Sequence, residues 1–259
     1  MLPKAQLLQS VEHSDCLSRL LDQATQALKT WEVVLSTFLS PPELAEAQQM
    51  FASLTEFTTL AWGGYAQAER QRLAIARADL PLDKTQVELA AISIAGNFLF
   101  DPASHRDFLG AILATGIDRN QVGDILVLGE RGAQAIAAPP LIPFLETHLT
   151  QVRTVPVQVE AIPWEQLQVR EPRCKEMTTV EASLRLDAIA SAGFGLSRSK
   201  MVNLINTGEV RVNWKEISQA SYTLKTGDLI TIRGKGRLQL GEVNLTKKER
   251  YRIQMKRYS

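Results

Sequence analysis

Cysteine is almost missing from the 259-residue chain, which holds only Cys16 and Cys174, far apart and outside any Cys-x-x-Cys pair. That excludes a disulfide framework and a cysteine zinc site, and leaves two free, structural thiols. Histidine is equally sparse. His13 and His148 stand alone on helix-like segments and form no ligand set, so no metal and no cofactor is expected. No run of eighteen apolar residues occurs, and the opening MLPKAQLLQS lacks a basic-then-apolar leader pattern. The expectation is therefore a soluble, intracellular protein without membrane insertion. Catalytic signatures are absent too: no Gly-x-Ser-x-Gly elbow, no Walker loop, no His-Glu-x-x-His. The triplet His105-Arg106-Asp107 spells a kinase catalytic loop, but the position five residues after the Asp is Ile112 where such a loop needs Asn. No enzyme is expected.

A balanced charge hides an imbalance. Residues 178–259 carry 15 Lys and Arg against 7 Asp and Glu, whereas residues 1–177 carry 14 against 21. A basic module built to meet a polyanion is thus tied to an acidic body. The expected linker is 169–177, where REPRCKEMTT is polar and Pro172 blocks helix continuation.

The acidic body divides again, giving an α+β chain. Residues 1–72 read as a helical N-terminal module. LSRLLDQATQALKTWEVVLSTFL has apolar residues at three- and four-residue intervals, and Ser40-Pro41-Pro42-Glu43 has capping-box spacing ahead of ELAEAQQMFASL. Gly63-Gly64 reads as a turn and Arg70, Arg72 and Arg77 as a solvated strand face, with a basic patch as the alternative. Residues 73–168 read β-α-β-β-α-β, the ferredoxin-like order shared with RNA-recognition sheets. The central strands lack the aromatic residues such sheets use, so the fold is expected without that mode of binding.

In the basic module, 178–259, Thr178 and Glu181 have capping-box spacing for a first helix ended by Gly193, with Arg185 free to project. Ser197 is a good N-cap for a second helix through Met201-Val202-Asn203-Leu204-Ile205, closed by Asn206 and Gly208, and Val210 and Val212 then alternate as a strand. Arg198 and Lys200 sit in the first turn of that second helix, where the helix field is already positive. Cations there are unfavourable unless an anion is expected, and a helix mouth with unsatisfied N–H groups suits phosphate. Arg185 and Arg211 extend the same surface, with Lys215, Arg233, Lys235 and Arg237 on loops nearby. The basic tail LTKKERYRIQMKRYS reads either as a disordered clamp or as a short ordered strand and helix.

RLDAIASAGFGLSRSKMVNLINTGEVRVNWK followed by TGDLITIRGKGR closely resembles the RNA-binding domain named for ribosomal small-subunit protein four, the S-four domain. Trp214, where most members have Gly, together with GGYAQAER at 63–70 and HRDFLGAILATGIDRNQVGDI at 105–125, is similar to the YlmH-type subfamily. The resemblance implies an S-four (alpha-L) fold and an RNA surface of Arg185, Ser197, Arg198, Lys200, Arg211 and Asn213, with Leu186 in the core and Asp187 orienting its neighbours. It implies ribosomal or transfer RNA and a ribosomal subunit as partners, linked to assembly or rescue of stalled large subunits, for a monomer in the cytoplasm, or in the stroma of a plastid. Two alternatives stay open. One is an RNA-modifying enzyme, although those place this domain ahead of a larger catalytic one; the other is a photosystem II assembly factor.

Overall fold

The first module is helices laid on a sheet. Helix α1 (Lys4–Leu7) precedes α2 (Ser14–Thr30), which stops where Trp31 turns left-handed at φ 61°. The segment expected to continue that helix is strand β1 (Val34–Leu39) instead. Val33, Val34 and Thr37 are β-branched and suit a pleated surface once a partner strand is offered. The capping box at Ser40 opens α3 (Pro41–Phe51), the Glu43 carboxylate accepting from the Ser40 backbone N–H at 2.7 Å. Strands β2 (Phe57–Trp62) and β3 (Gln71–Arg77) complete a three-stranded antiparallel sheet in the order β1-β3-β2. A layer of helix on sheet thus replaces the purely helical module, and β3 runs across the boundary expected at residue 72. Leu17, Leu20 and Leu21 of α2 bury against Leu39, Leu73 and Ile75 of the sheet.

These elements belong to a computed structural model that describes residues 3–9, 11–169 and 174–258. It forms two compact units, Met1–Val169 and Arg170–Ser259. The first unit continues through β4 (Ala90–Ala95), α4 (His105–Ala114), β5 (Val122–Val127), β6 (Gly132–Ala137) and α5 (Ile142–His148). After a two-residue hairpin, β7 (Gln151–Val152) with β8 (Val155–Pro156), it ends on β9 (Gln158–Ile162). The sheet order is β5-β6-β4-β9 with all neighbours antiparallel, the ferredoxin-like arrangement. Ile92, Ile94, Ala135 and Val159 face Phe108 and Ile112 of α4 and Leu145 of α5 in one buried cluster.

The opposite face of this sheet is covered as well. Gln134 at its centre donates to the Gln166 carbonyl at 2.9 Å and accepts from the Gln168 N–H at 2.7 Å. At the β5 end, Asp124 is 9% exposed and accepts from the Tyr65 hydroxyl at 2.7 Å and from the Glu69 and Arg70 N–H groups at 2.7 and 3.0 Å. Gly123 lies so close to Phe38 that an added Cβ would come within 2.7 Å of its ring. Gly64 meets Trp164 and Ile136 just as tightly.

The second unit is a six-stranded sheet under two helices. In chain order it holds β10 (Cys174–Glu181), α6 (Leu186–Phe194), α7 (Arg198–Asn206), β11 (Val210–Val212), β12 (Lys215–Glu216), β13 (Leu229–Ile232), β14 (Gly236–Leu245) and β15 (Tyr251–Tyr258). The sheet order is β10-β15-β14-β13-β11-β12. Three expectations are corrected here. Thr178 and Glu181 do not cap a helix: they lie in β10, all eight of whose residues pair with β15, and long-range pairing overrides a four-residue local signal. Gly193 does not end α6: it is buried inside it against Leu238, and Gly195, at φ 66°, makes the left-handed cap. Of the expected linker, residues 170–173 lie outside the described residues and 174–177 belong to β10. The basic tail, its two readings open, is strand β15 after a turn at 246–250. Leu186, Ile189, Met201, Ile205, Ile230 and Leu238 are at most 1% exposed and form the centre of this core, each burial stabilising by roughly 1.5–3 kcal/mol.

Candidate nucleic-acid interface

Helix α7 opens on Ser197, whose φ of −65° and ψ of 149° are those of an N-cap and whose hydroxyl accepts from the Lys200 N–H at 3.3 Å. The next side chains, Arg198, Ser199 and Lys200, are all exposed. Arg185 is the N-cap of α6, not a free projection. Between the two arginines lies Asp187, 3% exposed. It accepts from Arg185 Nε at 3.0 Å and Nη2 at 3.1 Å, and from Arg198 Nε at 3.0 Å and Nη2 at 3.4 Å. The same carboxylate accepts from the Ala188 N–H at 3.0 Å. Burial alone would raise the Asp187 carboxyl, but hydrogen bonds from Arg185 and Arg198 outweigh it and hold the group below the usual carboxylate range.

Two forked guanidiniums on one carboxylate leave a net charge of one on the trio, with the side chains of Arg185 and Arg198 still 41% and 58% exposed. The expected cations are present at the mouth of α7, but one charge is neutralised. What remains is orientation: each guanidinium is fixed by two bonds along one edge and turns its other edge outward.

The other sequence-chosen residues do not join this mouth. Asn213 and Trp214 both have positive φ, 48° and 70°, and form the tip of the β11–β12 hairpin. The Asn213 side chain donates to Asp228 at 2.8 Å and accepts from the Leu229 N–H at 2.9 Å. Through these bonds it pins the hairpin to β13, a structural role that the sequence did not reveal. Lys215 is exposed on the edge strand, and Arg233 and Lys235 occupy the β13–β14 turn. Arg211 lies between Val210 and Val212, which are buried under the helices, so it projects from the opposite face of the sheet. Its register partners place Thr231 and then Arg237 beside it on that face. The single platform expected from the sequence is therefore two surfaces, Arg185, Ser197, Arg198 and Lys200 on the helical side and Arg211 and Arg237 on the outer side.

In the first unit the arginines of 70–77 are structural. Arg70 donates to the Val122 and Phe38 carbonyls at 3.1 and 2.9 Å, Arg72 to the Ser36 and Glu88 carbonyls, both at 2.7 Å, and Arg77 stacks 3.4 Å over Trp31. Beside Arg70, burial and then the Arg70 charge pull Arg119 down to about 10. Asp107 completes a capping box with Ser104, while His105 and Arg106 face solvent. Among the described residues no three His, Cys, Asp or Glu side chains stand together for a metal ion, and no helix is long and apolar enough to cross a membrane.

Residues 12–80 match the family model for the YlmH N-terminal domain, residues 83–166 the model described as "Putative RNA-binding domain in YlmH", and residues 184–230 the S4 domain. A Bacillus subtilis (strain 168) protein, "Ribosome-associated protein quality control protein P2", is 30% identical over 245 residues, covering 92% of this chain and 93% of that one. The chain belongs to the YlmH family. A solved structure titled "Cell division protein ylmH from Streptococcus pneumoniae" shares the fold at a TM-score of 0.53 and 20% identity, covering 61% of this chain and 96% of that one. In this YlmH-family chain the S4 match ends at Ile230, so most of the six-stranded sheet, with β14, β15 and β10, lies outside it.

Proposed function

We propose that this protein is a noncatalytic RNA-binding factor that works on the ribosome, gripping structured ribosomal or transfer RNA through the mouth of α7. The observation that carries the reading is the Arg185–Asp187–Arg198 fork set beside Ser197 and Lys200. A carboxylate that holds two guanidiniums by one edge presents the other edges in a fixed geometry, which suits the paired oxygens of a phosphate. The first N–H groups of α7 supply further donors at the same place. Structured RNA is recognised largely through such phosphate and hydroxyl contacts. The 30% identical relative is named for ribosome-associated quality control, which supports action on the ribosome; the large subunit and the cytoplasm are the places we propose for it.

If about five phosphates are neutralised, raising salt from roughly 50 to 200 mM weakens binding by on the order of 10²–10³. A flat salt response in fluorescence anisotropy with a ribosomal RNA hairpin would reject the reading. Sedimentation of the crosslinked protein with separated ribosomal subunits identifies the RNA. The expected result is co-sedimentation with the large subunit, and a protein left at the top of the gradient counts against it.

A further inference from the structure

Among the described residues of the second unit, no element covers the outer face of the six-stranded sheet. Register fixes what stands there. One row across β11, β13, β14 and β15 reads Arg211, Thr231, Arg237, Tyr258. The next rows put Gln239 beside Lys256 and Asn244 beside Arg252. Residues between these on β15 and β14, such as Ile253, Met255, Leu238 and Leu240, are buried on the helical side. Val180, next to Arg252 on β10, is 43% exposed, as an open face requires.

We infer that this face is a second RNA-binding surface, opposed to the mouth of α7, so that the domain bridges two RNA segments. The inference rests on the RNA-binding reading above and extends it. Four cations, Arg211, Arg237, Arg252 and Lys256, sit on three strands, β11, β14 and β15, spanning about 14 Å at the usual strand spacing. Against them stand Glu176, paired with Lys256 at 2.8 Å, and Glu216, opposite Arg211 on the short edge strand. Among the described residues Arg211 and Arg252 have no acceptor in hydrogen-bond reach. The remaining positions of these rows are Gln239, Asn244, Thr231, whose Oγ1 is buried, and Tyr258, whose hydroxyl donates to Gln239 at 3.2 Å, with the apolar Val180 only at the edge strand. A flat, cationic, hydrogen-bonding surface without an apolar centre fits a sugar-phosphate backbone. It does not fit a protein partner, whose interface has an apolar core.

The test uses the full chain and a 20-base-pair RNA duplex of arbitrary sequence, with anisotropy over a salt series and sedimentation for stoichiometry. The wild-type protein is expected to bind two duplexes and to bring donor- and acceptor-labelled duplexes together. Arg211→Gln with Arg252→Gln and Lys256→Gln should reduce this to one duplex, abolish energy transfer and lower the salt slope by roughly 0.9 for each phosphate no longer neutralised. Arg211→Lys with Arg252→Lys keeps the charge and should keep both duplexes, which separates a missing cation from a failure to fold. Arg198→Ala with Lys200→Ala probes the helical side independently. If only that variant weakens binding, the second surface is overturned and the proposed function stands. If only the outer-face variant weakens binding, the assignment to α7 fails and the second surface stands. A wild-type stoichiometry of one duplex overturns the bridging.

Discussion

Gln134, at the centre of the four-stranded sheet, and Arg211, in the six-stranded one, both point away from the helices that pack on their sheets. Gln134 meets Gln166 and Gln168; Arg211 meets solvent. The first sheet has the strand order shared with RNA-recognition domains, yet its second face is closed by the 164–168 segment and by Tyr65, Glu69, Arg70 and Phe38 of the N-terminal module. The second sheet has no such likeness and keeps that face open and cationic. Topology tells where strands run; what lies on the far side of a sheet decides whether a ligand can reach it.

The sharpest way to break this contrast is to disturb the closed sheet. Gly132 has φ 113°, and a Cβ there would lie 2.0 Å from the Ile94 carbonyl oxygen. Gly132→Ala should destabilise the first unit by about 3 kcal/mol or more, read as a lower thermal midpoint, with the salt slope of RNA binding by the folded fraction unchanged. Asp124→Ala leaves three donors without their acceptor and should cost about 2–3 kcal/mol. If neither change lowers stability, the closed face is not a structural interface.

On the open side the effects are smaller and fall on binding. Asp187→Asn should cost about 1–3 kcal/mol in stability and weaken RNA binding although the net charge rises by one. Tighter binding by this variant would show that charge, not orientation, governs the α7 mouth. Acid should act in the same direction. The Asp187 pKa is lower in the folded than in the unfolded chain, so its contribution is complete above the ordinary Asp value near 3.9 and is lost as pH falls through the folded value. Denaturant titrations between about pH 5 and pH 2 should show a larger loss in the wild-type protein than in the Asn variant, which keeps other lowered carboxylates such as Glu43 and Asp107. The smallest effect is expected at the hairpin tip. Trp214 holds φ 70°, and Trp214→Gly should stabilise by less than about 1 kcal/mol.

How much of this was legible in the sequence depended on distance along the chain. The capping box at Ser40, the Ser197 cap and the alternation at Val210–Val212 are local, and the structure has all of them. The capping box at Thr178 was equally well formed as a local signal, but β15, far away in the chain, claimed those residues for a strand. The same blindness applied to Arg70, an exposed cation by composition and a half-buried donor to carbonyls of β1 and β5 in the fold. In the candidate site, residue types were readable and sides were not. Arg198 and Arg211 looked like neighbours until register put them on opposite faces of one domain. Arg252 and Lys256, which the proposed outer face adds, were not singled out, although the period-two pattern Tyr-Arg-Ile-Gln-Met-Lys in the tail was the signal that could have found them.

Among the described residues of the second unit, strand β10, the first in chain order, sits at the sheet edge and pairs with β15, the last. Synthesis proceeds from the N-terminus, so the first strand of this domain to be made must wait, unpaired, until residues 251–258 appear before it can close. A chain cut short before Tyr251 would leave β10 without its partner and the basic unit unsealed.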